Sequence, residues 1–282
     1  MINIVCTSKP CDGLLYYSYE YCSYLNAMGI DSQIIIVCHR NFSRETYIRS
    51  IQEKYIHFKN VMFDNYFPSK QEVTLIMGRS MMTLSFNDFK FYTTDQKNTL
   101  QNVFANKVIA VYSENHPKKY PEAVEFYNPC QIIDLCDYDV YPDGIGDHFE
   151  KRINFKIYKP TISDLQFKYL FLGTNSKYYE TVQGMIDDFP DHGIIVYDEK
   201  YIEPKNNNIF APVSNLLGKF NTFVYTKNTF DPAPRIIQEC KYLNKKIIYA
   251  RDKSIQDGGS VYYNRPLKEP NVKPIMSAAI NV

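Results

Sequence analysis

The stretch at residues 221–259, NTFVYTKNTFDPAPRIIQECKYLNKKIIYARDKSIQDGG, leaves this chain few architectures to choose from. Residues 221–227 form an apolar, β-branched and aromatic run, which predicts a buried strand. Thr229-Phe230-Asp231-Pro232-Ala233-Pro234 ends that strand, because proline has no N–H to give to a ladder. From Arg235 the period changes. Ile236, Ile237, Cys240 and Leu243 share a helical face, and Pro234 stands where a helix start tolerates it. Residues 246–250 read as strand again, ended by Arg251-Asp252. A strand, loop, helix and second strand of this kind close right-handed within a parallel sheet in nearly all cases. Ligands in such sheets bind at the carboxyl ends of the strands, beside helix N-termini. That edge carries Asp231, Arg235, Glu239, Arg251 and Asp252.

The rest of the chain repeats the alternation. Residues 2–7, 32–38, 72–77, 108–112 and 132–135 read as strands, and 14–28, 42–55 and 95–105 as helices. The first of these helices is tyrosine-rich and amphipathic, and Gly29 ends it. Residues 142–160 are broken by glycine and proline and form a seam. A second sheet then opens with FKYLFL at 167–172, followed by a helix at 178–188, a strand at 193–197 and a helix at 213–220. The expected class is therefore α/β, with two Rossmann-like domains at 1–155 and 156–282 whose parallel sheets face a central cleft. The proline-punctuated tail after Gly259 is expected to cross back over the first domain.

Composition narrows the function. A chain of 282 residues, 45% hydrophobic, buries a sizeable core, and a formal charge of +1 announces no global field for nucleic acid or an acidic partner. Seven scattered cysteines without a C-x-x-C read as reduced thiols in a cytoplasmic protein rather than as a zinc site. The start lacks a basic segment followed by an apolar run, and nothing reaches the ~20 apolar residues of a membrane helix, so neither a signal peptide nor a membrane partner is expected. Gly13 is a lone glycine after the first strand, and without a G-x-G-x-x-G run a dinucleotide cofactor is disfavoured.

Two readings compete for Arg235 and Glu239. Four residues apart, they share a helix face about one turn from its start. As a solvated i, i+4 ion pair they do nothing more. At the carboxyl edge of a parallel sheet, the arginine adds a bidentate donor to the free amides that receive a diphosphate, and the glutamate accepts both hydroxyls of a ribose. Asp137-Tyr138-Asp139 is a second ambiguous pattern. Two carboxylates at i, i+2 suit Mn²⁺ or Mg²⁺ bridging a nucleotide diphosphate, but the YPDG that follows reads as a turn.

The run PRIIQECKYLNKKIIYA resembles the donor half of two-domain (GT-B type) nucleotide-sugar glycosyltransferases, in which a helix glutamate holds the ribose and basic residues hold the diphosphate. Asn244-Lys245-Lys246 departs from the family's small-Gly-x-Pro turn, and only Glu239 of its frequent carboxylate pair is present. The resemblance implies a donor-binding set of Gly13, Gly173, Lys177, Asp231, Arg235, Glu239 and Arg251, with Gly173 and Lys177 following the first donor-domain strand toward the phosphates. It also implies a base at a strand's carboxyl end on the acceptor side, for which Asp12, Asp95 and His116 are the candidates and Asp12 the first choice. No cofactor is required on this reading. The donor is a nucleoside diphosphate sugar, UDP-linked, and Mn²⁺ or Mg²⁺ at Asp137 and Asp139 is the alternative. The chain is similar in size and composition to phage enzymes that glycosylate 5-hydroxymethylcytosine in DNA, which would place it in the host cytoplasm with double-stranded DNA as partner. Such an enzyme needs basic residues along the rim of its cleft, and those at 118–119, 151–152, 245–246, 251 and 253 sit near the seam or the donor edge. A glycan or small-molecule acceptor, and a non-catalytic nucleotide- or partner-binding protein, are the competing functions. The oligomeric state is not indicated.

Overall fold

The computed structural model describes residues 1–6, 8–39, 41–64, 73–77, 93–95, 107–112, 131–134, 147–148, 153–159, 165–173, 176–196, 208–210, 216–226 and 235–250. By contact they fall into two units. One takes Met1–Ile48 and His57–Ile157; the other takes Arg49–Ile56 and Tyr158–Leu267.

The first unit is built on a sheet of seven strands: β1 (Ile2–Cys6), β2 (Ser32–Ile36), β3 (Val61–Phe63), β4 (Val73–Met77), β5 (Lys107–Tyr112), β6 (Gln131–Asp134) and β7 (Asp147–His148). Their order is β3-β2-β1-β4-β5-β6-β7, and every pairing is parallel. Strands covered on both faces carry near-continuous apolar runs, as INIVC and SQIII do here apart from Asn3, Ser32 and Gln33. Ile4, Val5, Ile34, Ile35 and Ile36 are fully buried. Helix α1 (Gly13–Ala27) packs against β1 and β2. Its burial corrects the amphipathic reading: Ser18 and Glu20 are buried along with Tyr16, Tyr17, Tyr19 and Tyr21, so both sides of the helix are covered. Gly29 does end the helix. It adopts φ 81°, and the Ile30 N–H reaches back to the Leu25 carbonyl, the reversal that favours a residue without a Cβ. The Asn26 side chain then donates to the Ser32 carbonyl and accepts from the Ser32 N–H, tying the helix end to the start of β2.

The second unit holds β8 (Phe167–Leu172), β9 (His192–Val196), β10 (Asn208–Phe210), β11 (Phe220–Tyr225) and β12 (Lys246–Tyr249) in the order β10-β9-β8-β11-β12, again all parallel. Helix α3 (Ser176–Gln183) follows β8, and α4 (Arg235–Tyr242) lies between β11 and β12. Phe171, Val182, Ile194, Val196 and Val224 form a fully buried cluster, each side chain contributing about 1.5–3 kcal/mol. Both sheets thus run outward from their first strand on one side and then return to its other side, which is the Rossmann order. Helix α2 (Arg44–Lys54) is divided, its residues from Arg49 on belonging to the second unit.

The helix expected at 213–220 is corrected within its described part. Leu216–Lys219 is a turn and Phe220 already belongs to β11. Gly218 interrupts the helical pattern, and the Lys219 carbonyl accepts the N–H groups of both Gln166 and Phe167, fixing the turn to the start of β8. The strands β3, β7 and β10 were not anticipated. The helix expected at 95–105 lies outside the described residues except at Asp95, as does the tail from residue 251 on.

The described cysteines are free thiols, and all but Cys11 are buried. Burial pushes Cys6 and Cys22 up to about 11 and raises Cys240 well above the ordinary thiol value, the Glu239 charge adding to the last. At pH 8 about one part in a thousand of a thiol at 11 is thiolate, the reactive form. Iodoacetamide at that pH is expected to leave Cys6, Cys22 and Cys240 unmodified in the native protein and to label them after denaturation, as read by peptide mass mapping.

Candidate functional site

In each sheet the strand order reverses beside the first strand: between β1 and β4 in the first unit, and between β8 and β11 in the second. On either side of such a point the crossovers leave in opposite directions, which opens a crevice at the carboxyl ends of the two strands.

In the second unit the described residues at that edge include Gly173, just after β8, and Arg235, the first residue of the helix that follows β11. Gly173 donates its N–H to the Ile195 carbonyl at 2.8 Å. A Cβ there would sit 2.7 Å from Ile194 Cγ2 and 3.1 Å from Tyr179 Cδ2. Packing of β8 against β9 and α3 therefore demands this glycine whether or not a phosphate approaches it. Lys177 lies in the first turn of α3.

Arg235 and Glu239 do pair across one turn of α4, with Nε 2.8 Å from Oε1, but not on a solvated face: their side chains are only 9% and 6% exposed. Lys54 Nζ lies 2.6 Å from the same Oε1, and the Tyr158 hydroxyl donates to it at 3.0 Å. Arg235 Nη2 in turn donates to the hydroxyls of Tyr158 and Tyr55. Both cations also lie over the Tyr158 ring, Lys54 Nζ at 5.6 Å and Arg235 Cζ at 5.9 Å from its centroid. Burial of Glu239 by itself disfavours its charge. Lys54 and Arg235, with the Tyr158 hydrogen bond, overcome that and hold its carboxyl below the usual carboxylate range. Every described donor converges on Oε1; none among the described residues reaches Oε2. The arrangement is a buried carboxylate whose Oε1 is held by three donors from three segments.

Lys54, Tyr55 and Tyr158 were not singled out from the sequence. Tyr158 and Glu239 are 81 residues apart, Tyr55 and Arg235 are 180 apart, and no local pattern joins positions so distant. The only available signal was that Lys54 closes a recognisable helix.

In the first unit Asp12 is the N-cap of α1, with Oδ1 accepting the Leu14 N–H at 2.8 Å, and Gly13 opens the helix. Asp12 stands at the carboxyl end of β1, the edge where the sequence placed it. Beside it Cys11 has φ 61° and receives the Tyr16 hydroxyl on its sulfur at 2.9 Å. The Tyr47 hydroxyl donates to the Ser8 carbonyl at 2.6 Å and accepts the His39 N–H at 2.9 Å, linking the ends of β1 and β2. Asp95 is exposed. His116, Asp231, Arg251, Asp137 and Asp139 lie outside the described residues. Among the described residues there is no group of three or more His, Cys, Asp or Glu side chains able to hold a metal ion, and no helix is long and apolar enough to cross a membrane.

Neither a protein-family model nor a curated protein matches the chain. Solved structures do. The chain is similar to alpha-glucosyltransferases. One, in complex with UDP and a 13-mer DNA containing an HMU base, is 8% identical with a TM-score of 0.47, over 80% of this chain and 72% of that one. A second complex with UDP and HMU-containing DNA gives 9% identity and a TM-score of 0.42 over 70% and 57% of the two chains. A third, with UDP and a 13-mer DNA carrying a central A:G mismatch, gives 10% identity and 0.44 over 80% and 72%.

Proposed function

We propose that this protein is a glycosyltransferase moving a sugar from a UDP-sugar to a hydroxyl, and that the hydroxyl belongs to 5-hydroxymethylcytosine in DNA. The observation that carries the proposal is the placement of Arg235 at the head of α4 and of the Glu239 carboxylate one turn deeper, its described donors all on Oε1, beside the reversal point of a Rossmann-ordered sheet. There Glu239 Oε2 accepts the ribose hydroxyls of the donor. The α4 N-terminus and Arg235 favour negative charge as the diphosphate departs. The reaction breaks the bond between the sugar's anomeric carbon and the diphosphate oxygen and forms one to the acceptor oxygen. The acceptor's proton passes to a base, for which Asp12 at the end of β1 is the first candidate, and the diphosphate keeps the bonding electron pair. These positive groups do the work a divalent cation does elsewhere, so turnover is expected to persist in chelator.

The DNA acceptor follows from the sequence resemblance. A base within a duplex must be turned out of the stack before its hydroxymethyl group meets a donor. Duplex DNA containing 5-hydroxymethylcytosine is expected to gain the mass of one hexose or pentose per modified base when incubated with the protein and a UDP-sugar in EDTA. No added mass with any UDP-sugar the protein binds overturns the DNA acceptor. Binding of UDP-sugars without turnover on any acceptor overturns the enzyme.

A further inference from the structure

Lys54 and Tyr158 play no part in the donor contacts expected from the sequence, yet both end on Oε1 of Glu239, at 2.6 and 3.0 Å. Lys54 reaches α4 from the end of α2, and Tyr158 from the segment that precedes β8 in the second unit. A glutamate side chain has three rotatable bonds, and a carboxylate held by one partner swings between rotamers. Here three donors from three segments fix one oxygen: Lys54, Tyr158, and Arg235 from α4 itself. The segment carrying Lys54 is itself secured, because the Lys159 N–H donates to the Lys54 carbonyl at 3.0 Å and Tyr55 bridges to Tyr158. With Oε1 held and both oxygens on one rigid plane, the direction of Oε2 is set as well.

We infer that Lys54 and Tyr158 are positioning residues: by pinning Oε1 they aim Oε2 of Glu239 at the vicinal hydroxyls of a ribonucleoside diphosphate, so that the site selects a ribose over a deoxyribose donor. The inference rests on the donor site proposed above and adds to it the means by which selection is made. A purely structural role for the two residues weakens ribo- and deoxyribonucleotides alike. A positioning role costs only the ligand that has the hydroxyls to meet Oε2.

The test compares UDP with 2′-deoxy-UDP and 2′,3′-dideoxy-UDP by calorimetry on the full chain. The wild-type protein is expected to prefer UDP by about tenfold or more, the worth of a hydrogen bond to a charged group. In Lys54→Met, which keeps the length of the stem, that preference is expected to shrink toward unity while affinity for the dideoxy compound holds. Lys54→Arg restores it. Tyr158→Phe keeps the ring and removes only the hydroxyl; it is expected to give the same loss of preference and serves if Lys54→Met does not fold. Undiminished ribose preference in Tyr158→Phe and in folded Lys54→Met overturns the positioning role and leaves the donor site standing. A wild-type protein with no preference, or without UDP affinity, overturns the donor site and the inference together.

Discussion

Replacing Glu239 by alanine is expected to lower the stability of the second unit by about 3–5 kcal/mol, the usual cost of removing one member of a buried ion pair. The cost is mostly not the lost attraction. Lys54 and Arg235 have side chains 12% and 9% exposed, and without the carboxylate they are left as like charges sharing one small space. The Tyr158 hydroxyl loses its acceptor as well. Glu239→Gln keeps the shape and one acceptor oxygen but not the charge, and is expected to fall between alanine and the parent. Urea unfolding followed by far-UV circular dichroism, with hydrogen exchange at the amides of α4, reads both variants. A loss under about 1 kcal/mol for Glu239→Ala contradicts the buried network, because that is the range of an exposed pair. The size of this effect bears on ligand binding too. A Glu239→Ala protein that binds no UDP has lost its scaffold together with the oxygen proposed to meet the ribose, and so the Lys54 and Tyr158 variants are the better probes of the proposed site.

The spacing of Arg235 and Glu239 left a solvated ion pair and a ligand pair both open, and the structure removes the solvated face. The pair forms, as the i, i+4 spacing predicts, but it is buried because Lys54, Tyr55 and Tyr158 close over it. Burial of a helix face by a distant segment is a tertiary fact that no local periodicity carries. Strands and helices whose own residues decide their state were legible. FKYLFL is β8 from end to end, and the strand at 221–227 differs from β11 only at its margins, beginning one residue earlier at Phe220. The strands that escaped notice, VMF at β3, DH at β7 and NIF at β10, all lie at the edges of their sheets and are too short to show a pattern. Phe220 misled in a different way. Spaced four residues after Leu216, it imitates a helical stripe, whereas its burial comes from its place at the head of a strand. Asp12 was placed at the correct edge by the order of elements alone, and its use as the cap of α1 is the ordinary reason for an aspartate to precede a helix.

Acid is expected to unfold the second unit over a window that Glu239 creates and Glu239→Gln removes. The folded-state value of this carboxyl lies below the ordinary one: burial pushes it up, and Lys54, Arg235 and the Tyr158 hydroxyl bring it down past that. A group of this kind contributes its full stabilisation above the unfolded value of about 4.3 and loses it as pH falls from there through the folded value. Within that window the unfolded state holds up to one proton more than the folded state, so stability falls as pH falls, by at most about 1.4 kcal/mol per pH unit. Glu53, on the helix turn that carries Lys54, acts in the opposite sense. Burial raises its value despite Lys219, Arg49 and Lys159, so its ionised form costs stability, and acidification toward 4.3 relieves that cost. The Cys240 thiol beside Glu239, raised by burial and by the Glu239 charge, stays neutral throughout. Wild-type stability is therefore expected to be nearly flat or slightly rising on the approach to 4.3 and to fall steeply below it. Subtracting the Glu239→Gln profile cancels the Glu53 limb and isolates the steep one. If the two proteins lose stability in parallel below pH 4.3, Glu239 is not the group that titrates, and its ion pairs do not hold the second unit together.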